Sequence, residues 1–217
     1  MKKLSIIAAC LLTVGLLGGC GTKFDASAYT KALLDNSYKN DSTDFLAMKL
    51  GTAEEAADLY EQGLDSEVDA MLAAAGNVSD AQAQEFRQVF ADILAGAKYT
   101  VGEAEKQDDG SFVVTVTYEQ MQVFGPAMEQ YMDDINDWAA EIQATGNIPS
   151  DDEMMETIVN MLKDSLVDAL SKATYADPAT TTIRIELNNN QYSPNENDIY
   201  TLETLLFDLE SAMNSLQ

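Results

Sequence analysis

The sequence predicts an α+β domain: a small, mainly antiparallel sheet of three or four strands covered by five or six helices. Three observations carry this. Apolar residues recur at helical spacing over residues 25–96, and the period then drops to two over 97–123. Helical spacing returns after that, interrupted by one short alternating run, Ile183-Arg-Ile-Glu-Leu187. About 200 residues suffice for one core, and an apolar content of 46% belongs to a folded chain.

The elements follow in order. Asp25 is the expected N-cap of a helix over 25–39, with Phe24 and Tyr29 as a hydrophobic staple and Tyr29, Ala32 and Leu33 on one face. Residues 40–51 read as a loop or a single turn. Thr52-Ala-Glu-Glu55 is a capping box that opens a helix running to about Ala75. Its face holds Ala56, Tyr60, Leu64, Val68, Met71, Leu72 and Ala75; Gly63 should interrupt it and Gly76 end it. Ser79-Asp-Ala-Gln82 opens a third helix striped by Phe86, Val89, Phe90, Ile93 and Leu94 and closed by Gly96. Residues 97–105 and 111–123 read as a hairpin around the turn Gln107-Asp-Asp-Gly110. Phe112, Val114, Val116 and Tyr118 share one face, whereas Met121 and Val123 have the other parity, so the strand bulges or ends near Gln120.

Gly125-Pro126 is expected to start a fourth helix, with Pro126 at its first position and Gly146 at its end. Its stripe is Met128, Tyr131, Met132, Ile135, Trp138 and Ile142. Ser150-Asp-Asp-Glu153 caps a fifth helix to about Ala173. A third strand over 183–187 and a polar loop at Asn188-Asn-Asn-Gln191 follow. After Ser193-Pro194, a last helix from about Asp198 is carried by Ile199, Leu202, Leu205, Leu206, Leu209 and Met213. Only one hairpin is expected to be local.

The first nineteen residues stand apart. Lys2 and Lys3 precede an apolar run, LSIIAACLLTVGLL, at residues 4–17. That run is shorter than the about 20 residues a membrane span needs and has the layout of a secretory leader. Leu17-Gly18-Gly19-Cys20 resembles the lipobox of bacterial lipoproteins. The resemblance implies diacylglyceryl transfer to the Cys20 thiol and cleavage before Cys20. The expected organisation is a leader at 1–19, a lipidated Cys20 with a short tether at 20–24, and one extracytoplasmic domain at 25–217. The membrane is then the first partner, reached through the N-terminal lipid.

Without the leader, ten Lys and Arg face thirty-seven Asp and Glu, a net charge of −27. Such a charge argues against direct nucleic-acid binding. The absence of His removes His-based triads and His metal sites, and a single remaining Cys removes an internal disulfide. No phosphate-binding glycine loop and no nucleophile elbow occurs. No catalytic residue, metal or cofactor is therefore assigned. Between Lys106 and Lys163 there is no basic residue, while 107–162 holds twelve acids. Asp133, Asp137 and Glu141, spaced by four, share one helix face. They read either as a solvated face or as a site for a cation or a basic partner. The same stretch holds six of the ten methionines. Met128, Met132 and Trp138 read either as core fillers or as an apolar groove for a basic amphipathic segment. Met128 and Met132 also have a spacing compatible with Cu(I), but without His or Cys that reading is weak.

Three segments, SAYTKALLDNSYKND, TAEEAADLYEQGLDSEV and AKYTVGEAEKQDDGSFVVTVTYEQMQVFG, together with the lipobox, resemble uncharacterised surface lipoproteins of Gram-positive, clostridia-like bacteria. The resemblance implies exposure on the cytoplasmic membrane and brings no activity or site residue. The expected function is a lipid-anchored, non-catalytic binding or interaction module. A structural or assembly lipoprotein and a carboxylate-based hydrolase of cell-wall or dietary glycan are the alternatives, the latter because such hydrolysis needs only two suitably placed acids. Cys20→Ser is expected to release the protein from membranes or leave it as unprocessed precursor in cell fractionation. A processed, lipid-bearing Cys20→Ser protein would sink the lipobox assignment.

Overall fold

The computed structural model describes residues 14–15, 24–72 and 78–209. Cys20, Ala75, Gly76, Met213, the predicted leader apart from residues 14–15 and the predicted tether apart from Phe24 lie outside the described residues. The fold is α+β, with helices on one face of an antiparallel sheet, as the periodicity predicts.

Helix α1 (Ala26–Lys39) begins where the cap signal places it: the Asp25 side chain accepts from the Ala28 N–H at 3.0 Å. Phe24 packs on Tyr29 with ring centroids 5.3 Å apart, which is the expected staple. The connecting segment contains one short helix, α2 (Thr43–Ala47). Helix α3 (Ala53–Leu72) is opened by its capping box, the Glu55 N–H donating to Thr52 Oγ1 and the Thr52 N–H to Glu55 Oε2. It runs through Gly63 without a break, contrary to expectation. Gly63 is buried, and the packed neighbours Tyr60 and Leu64 offset the glycine penalty of about 1 kcal/mol. Helix α4 (Asp80–Ala95) buries all five of its striped residues.

Strand β2 (Lys98–Lys106) turns at Gly110, whose φ of 89° suits glycine, into β3 (Phe112–Glu119). The register shifts between Val101 and Ala104, so Gly102 and Glu103 together face Thr115 in a β-bulge. The strand does end near Gln120, and β4 (Met121–Gln122) pairs instead with β5 (Thr174–Tyr175). This two-stranded ribbon closes the base of a helical hairpin formed by α5 (Phe124–Thr145) and α6 (Asp151–Ser171). Helix α5 starts at Phe124, which makes Pro126 its third residue and not its first. The first turn has unpaired N–H groups in any case, so proline is tolerated there.

Strand β6 (Ala179–Asn188) pairs with β3, placing Val114 against Ile183 and Phe112 against Ile185. The polar run predicted as a loop is a second hairpin. Asn189 and Asn190, with φ of 51° and 62°, form its two-residue turn into β7 (Gln191–Pro194). Asparagine tolerates positive φ, and two such residues match a primed hairpin turn. Helix α7 (Glu196–Leu206) starts two residues earlier than predicted, because the Asn195 side chain accepts from both the Asn197 and Asp198 N–H groups. Arg184 ties α7 to β6: its backbone N–H and its guanidinium both donate to Asp198, at 2.7–3.0 Å. Two residues within the predicted leader, β1 (Val14–Gly15), lie antiparallel to β7. The main sheet thus runs β1-β7-β6-β3-β2.

One face of this sheet is core. Val114, Val116, Ile183 and Ile185 are completely buried, and α1 and α7 lie over them. The other face shows Thr115, Thr180, Thr182 and Arg184 to solvent. Within the core the Tyr38 hydroxyl sits beside Glu203, Tyr99 and Glu67; burial first, and then these neighbours, push its phenol well up. Glu67 itself is half-buried, and desolvation raises its carboxyl from 4.5 to about 7.

Two outcomes are expected. Leu34 is completely buried, so Leu34→Ala should lower unfolding free energy by about 2–5 kcal/mol in denaturant titrations. Because Glu67 holds its proton longer in the folded state than in the unfolded chain, stability should fall as pH rises from 4.5 to about 7. Glu67→Gln should therefore raise the Tm at pH values above about 7 and change little near pH 4. Equal Tm shifts at both pH values would refute that origin.

A half-covered helical hairpin as candidate interaction surface

Helices α5 and α6 are both long, 22 and 21 residues, and they pack antiparallel. Strong signals bound them. Gly146 ends α5 at a φ of 72°, and Ser150 and Glu153 form a reciprocal capping box on α6. The base of the hairpin belongs to the core: Phe124, Ala127 and Met128 on α5, and Val159, Leu166 and Ala169 on α6, are buried. Helix α4 flanks α6 there. Lys163 donates to Glu85 at 2.7 Å, Gln82 to Asn160 at 3.3 Å, and the Tyr175 hydroxyl to the Gly96 carbonyl at 2.8 Å.

The outer half differs. No residue from 129 to 158 is buried. Tyr131, Ile135, Trp138 and Ile142 on α5, and Met154, Met155 and Ile158 on α6, are all only half-buried. The two helices cover each other along one seam, and among the described residues no third layer covers the seam. Among the described residues, four large apolar side chains are classed as exposed: Leu46, Met132, Ile148 and Val167. Three of the four lie on this hairpin, Ile148 being 79% exposed.

The predicted site residues divide along this boundary. Met128 is a core side chain at the hairpin base, whereas Met132, one turn on, is 38% exposed and Trp138 is half-buried. Asp133, Asp137 and Glu141 are all exposed along α5. Among the described residues no lysine or arginine pairs with them, and no group of three or more Cys, Asp or Glu is placed to hold a metal ion. Residues 124–171 carry eleven acids and two aromatic rings beyond Phe124, against a single base, Lys163, itself engaged with Glu85 and Asp164. The outer hairpin is thus an apolar seam bordered by uncompensated negative charge.

Two clefts lie elsewhere. One, of about 350 Å³, is formed at one end of the sheet by Lys39, Lys98, Tyr99, Tyr118, Glu119 and Pro178. Lys39 sits 4.3 Å over the Tyr99 ring and Lys98 3.5 Å over the Tyr175 ring. Beside it is a buried polar network that sequence reading missed. Lys31 and the Tyr99 hydroxyl each donate to Asp35 at 2.6 Å, and Lys39 approaches at 3.4 Å. Burial pushes the Asp35 carboxyl up, but the Lys31 and Tyr99 hydrogen bonds and the lysine charges outweigh it and hold it below its ordinary value. The spacing Lys31, Asp35, Lys39 along one helix face was its only sequence signal. The second cleft lies beside Phe24, Asp25, Ser27, Glu103 and Phe112. Neither cleft joins two free carboxylates: Glu119 pairs with Lys98, and Asp25 caps α1.

No family model and no curated protein matches the chain. Among solved structures it is similar to a candidate lipoprotein, ycdA, of Bacillus subtilis subsp. subtilis str. 168, with 16% identity and a TM-score of 0.52. The likeness covers 84% of this chain and 56% of the other, so this chain spans little more than half the length of that relative. At this identity the two proteins share a fold.

Proposed function

We propose that the protein is a lipid-anchored extracytoplasmic binding or interaction module without catalytic activity, and that the outer half of the α5–α6 hairpin receives its partner. The carrying observation is the seam over residues 129–158, which is apolar, half-covered and flanked by Asp133, Asp137 and Glu141. An amphipathic helix laid into this seam would complete a three-helix layer and remove apolar surface from water. The acids select a basic partner, because opposite charge speeds encounter and like charge excludes competitors. The lipobox at Leu17–Cys20 and the fold shared with a lipoprotein support the membrane address. Among the described residues no helix is long and apolar enough to cross a membrane.

Trp138 is the protein's single tryptophan, so its emission reports occupancy of the seam directly. A cationic amphipathic helical peptide is expected to shift that emission with salt-sensitive affinity. Exposed charge pairs contribute about 0.2–1 kcal/mol each, so Asp133→Asn, Asp137→Asn and Glu141→Gln together should weaken binding by several-fold up to about a hundredfold and flatten the salt dependence. Unchanged affinity and salt slope in the triple variant would assign these acids to solubility alone.

A further inference from the structure

The N-terminal attachment enters the fold at a defined end of the sheet. Phe24 stacks on Tyr192 with ring centroids 3.9 Å apart and tilts against Phe112 at 5.7 Å. Phe112 opens β3 directly after the Gln107–Gly110 turn, and Tyr192 follows the Asn189–Asn190 turn by two residues. The Tyr192 hydroxyl reaches the Gly110 carbonyl at 3.5 Å, which places the two turns side by side. Ser27, the second residue of α1, donates to the Gly102 carbonyl at 2.7 Å and fixes the start of that helix on the middle of β2. Phe24 is therefore held by aromatic contacts and is no part of a loose tether. The chain between Cys20 and Phe24 reaches at most about 14 Å when fully extended.

We infer that the sheet end carrying the Gln107–Gly110 and Asn189–Asn190 turns faces the bilayer, and that the Lys39–Lys98–Tyr99 cleft faces away from it. The inference rests on the lipid anchor at Cys20 proposed above. The partner of this surface is the phospholipid headgroup layer. A leash of about 14 Å attached at one end of a strand about 26 Å long cannot let the opposite end face the bilayer, with the attachment end pointing away, without lifting the attachment point off its aromatic seat. Lys98 and Lys106 bound β2 at the two ends, eight residue steps and about 26 Å apart. The near end also carries Glu105, Asp108 and Asp109 against Lys106. Charge does not draw it to anionic lipid, so the orientation comes from the leash.

The chain itself makes the test clean. Cys10 leaves with the leader and the Cys20 thiol becomes a thioether, so one introduced cysteine is the only labelling site. Asp108 and Asp177 are exposed residues at the near and far ends, the latter just before β6. Lipidated Asp108→Cys and Asp177→Cys proteins are reconstituted in phosphatidylcholine–phosphatidylglycerol vesicles, labelled with a donor fluorophore, and read against a headgroup-borne acceptor. Vesicle flotation first establishes attachment. With attachment, energy transfer several-fold stronger from position 108 than from 177 supports the orientation. Equal transfer, or stronger transfer from 177, overturns it while leaving the anchor intact. Failure of both proteins to float, with normal circular dichroism, overturns the anchor and the orientation with it.

Discussion

Helix α1 has nine buried residues out of fourteen, more than one apolar stripe supplies, so it has neighbours on nearly every side. It lies on the inner face of the sheet and also meets α2, α3 and α4. Tyr29 and Leu34, nearly opposite each other around the helix, are both completely buried. Some of the polar groups that such a position takes out of water are satisfied by a neighbour. Asn36 donates to the Ala56 carbonyl of α3, and Asp35 accepts from Tyr99 of β2. These bonds record which elements surround the helix, and leaving any one unmade costs about 1–3 kcal/mol. The remaining helices assemble around α1, and the α5–α6 hairpin, which touches this centre only at its base, is free to extend.

The scarcity of bases has a structural consequence. Seven of the nine Lys and Arg among the described residues form ion pairs, and most of these pairs join different elements. Arg87 of α4 holds Glu61 and Asp65 of α3, Lys31 of α1 reaches Asp44 of α2, Lys163 of α6 reaches Glu85 of α4, and Arg184 of β6 holds Asp198 of α7. Exposed pairs of this kind contribute little individually. Their placement nonetheless draws positive charge to the seams between elements. The outer hairpin is left with acids alone, so its negative potential follows from where the few cations are engaged.

Periodicity and capping chemistry made most of the fold legible. The boxes at Thr52, Ser79 and Ser150 and the cap at Asp25 mark helix starts to within a residue. They are local, hydrogen-bonded devices written in adjacent residues. The errors arose where local preference met tertiary packing, as at Gly63, or where a weak local signal was passed over, as at Asn189-Asn190. The candidate surface was half legible. Alternation of acids and apolar residues along α5 marked an amphipathic helix, but whether another layer covers its stripe depends on where α4 stops, a long-range fact. The Asp35 network was opaque for the same reason, because Tyr99 lies 64 residues away.

The two borders of the sheet are unlike each other, and both discourage a neighbouring molecule from adding a strand. Along β2 the doubled residues Gly102 and Glu103 break the regular row of donors and acceptors, and lysines stand at both ends. Once the predicted leader is gone, the opposite border is β7, only four residues long and finished by Pro194, which has no N–H to offer. With the proposed lipid anchor, the protein would meet its own copies at high local concentration in two dimensions. Borders that resist templated pairing let such a population stay dispersed, at a density where an open strand would seed fibrous aggregates.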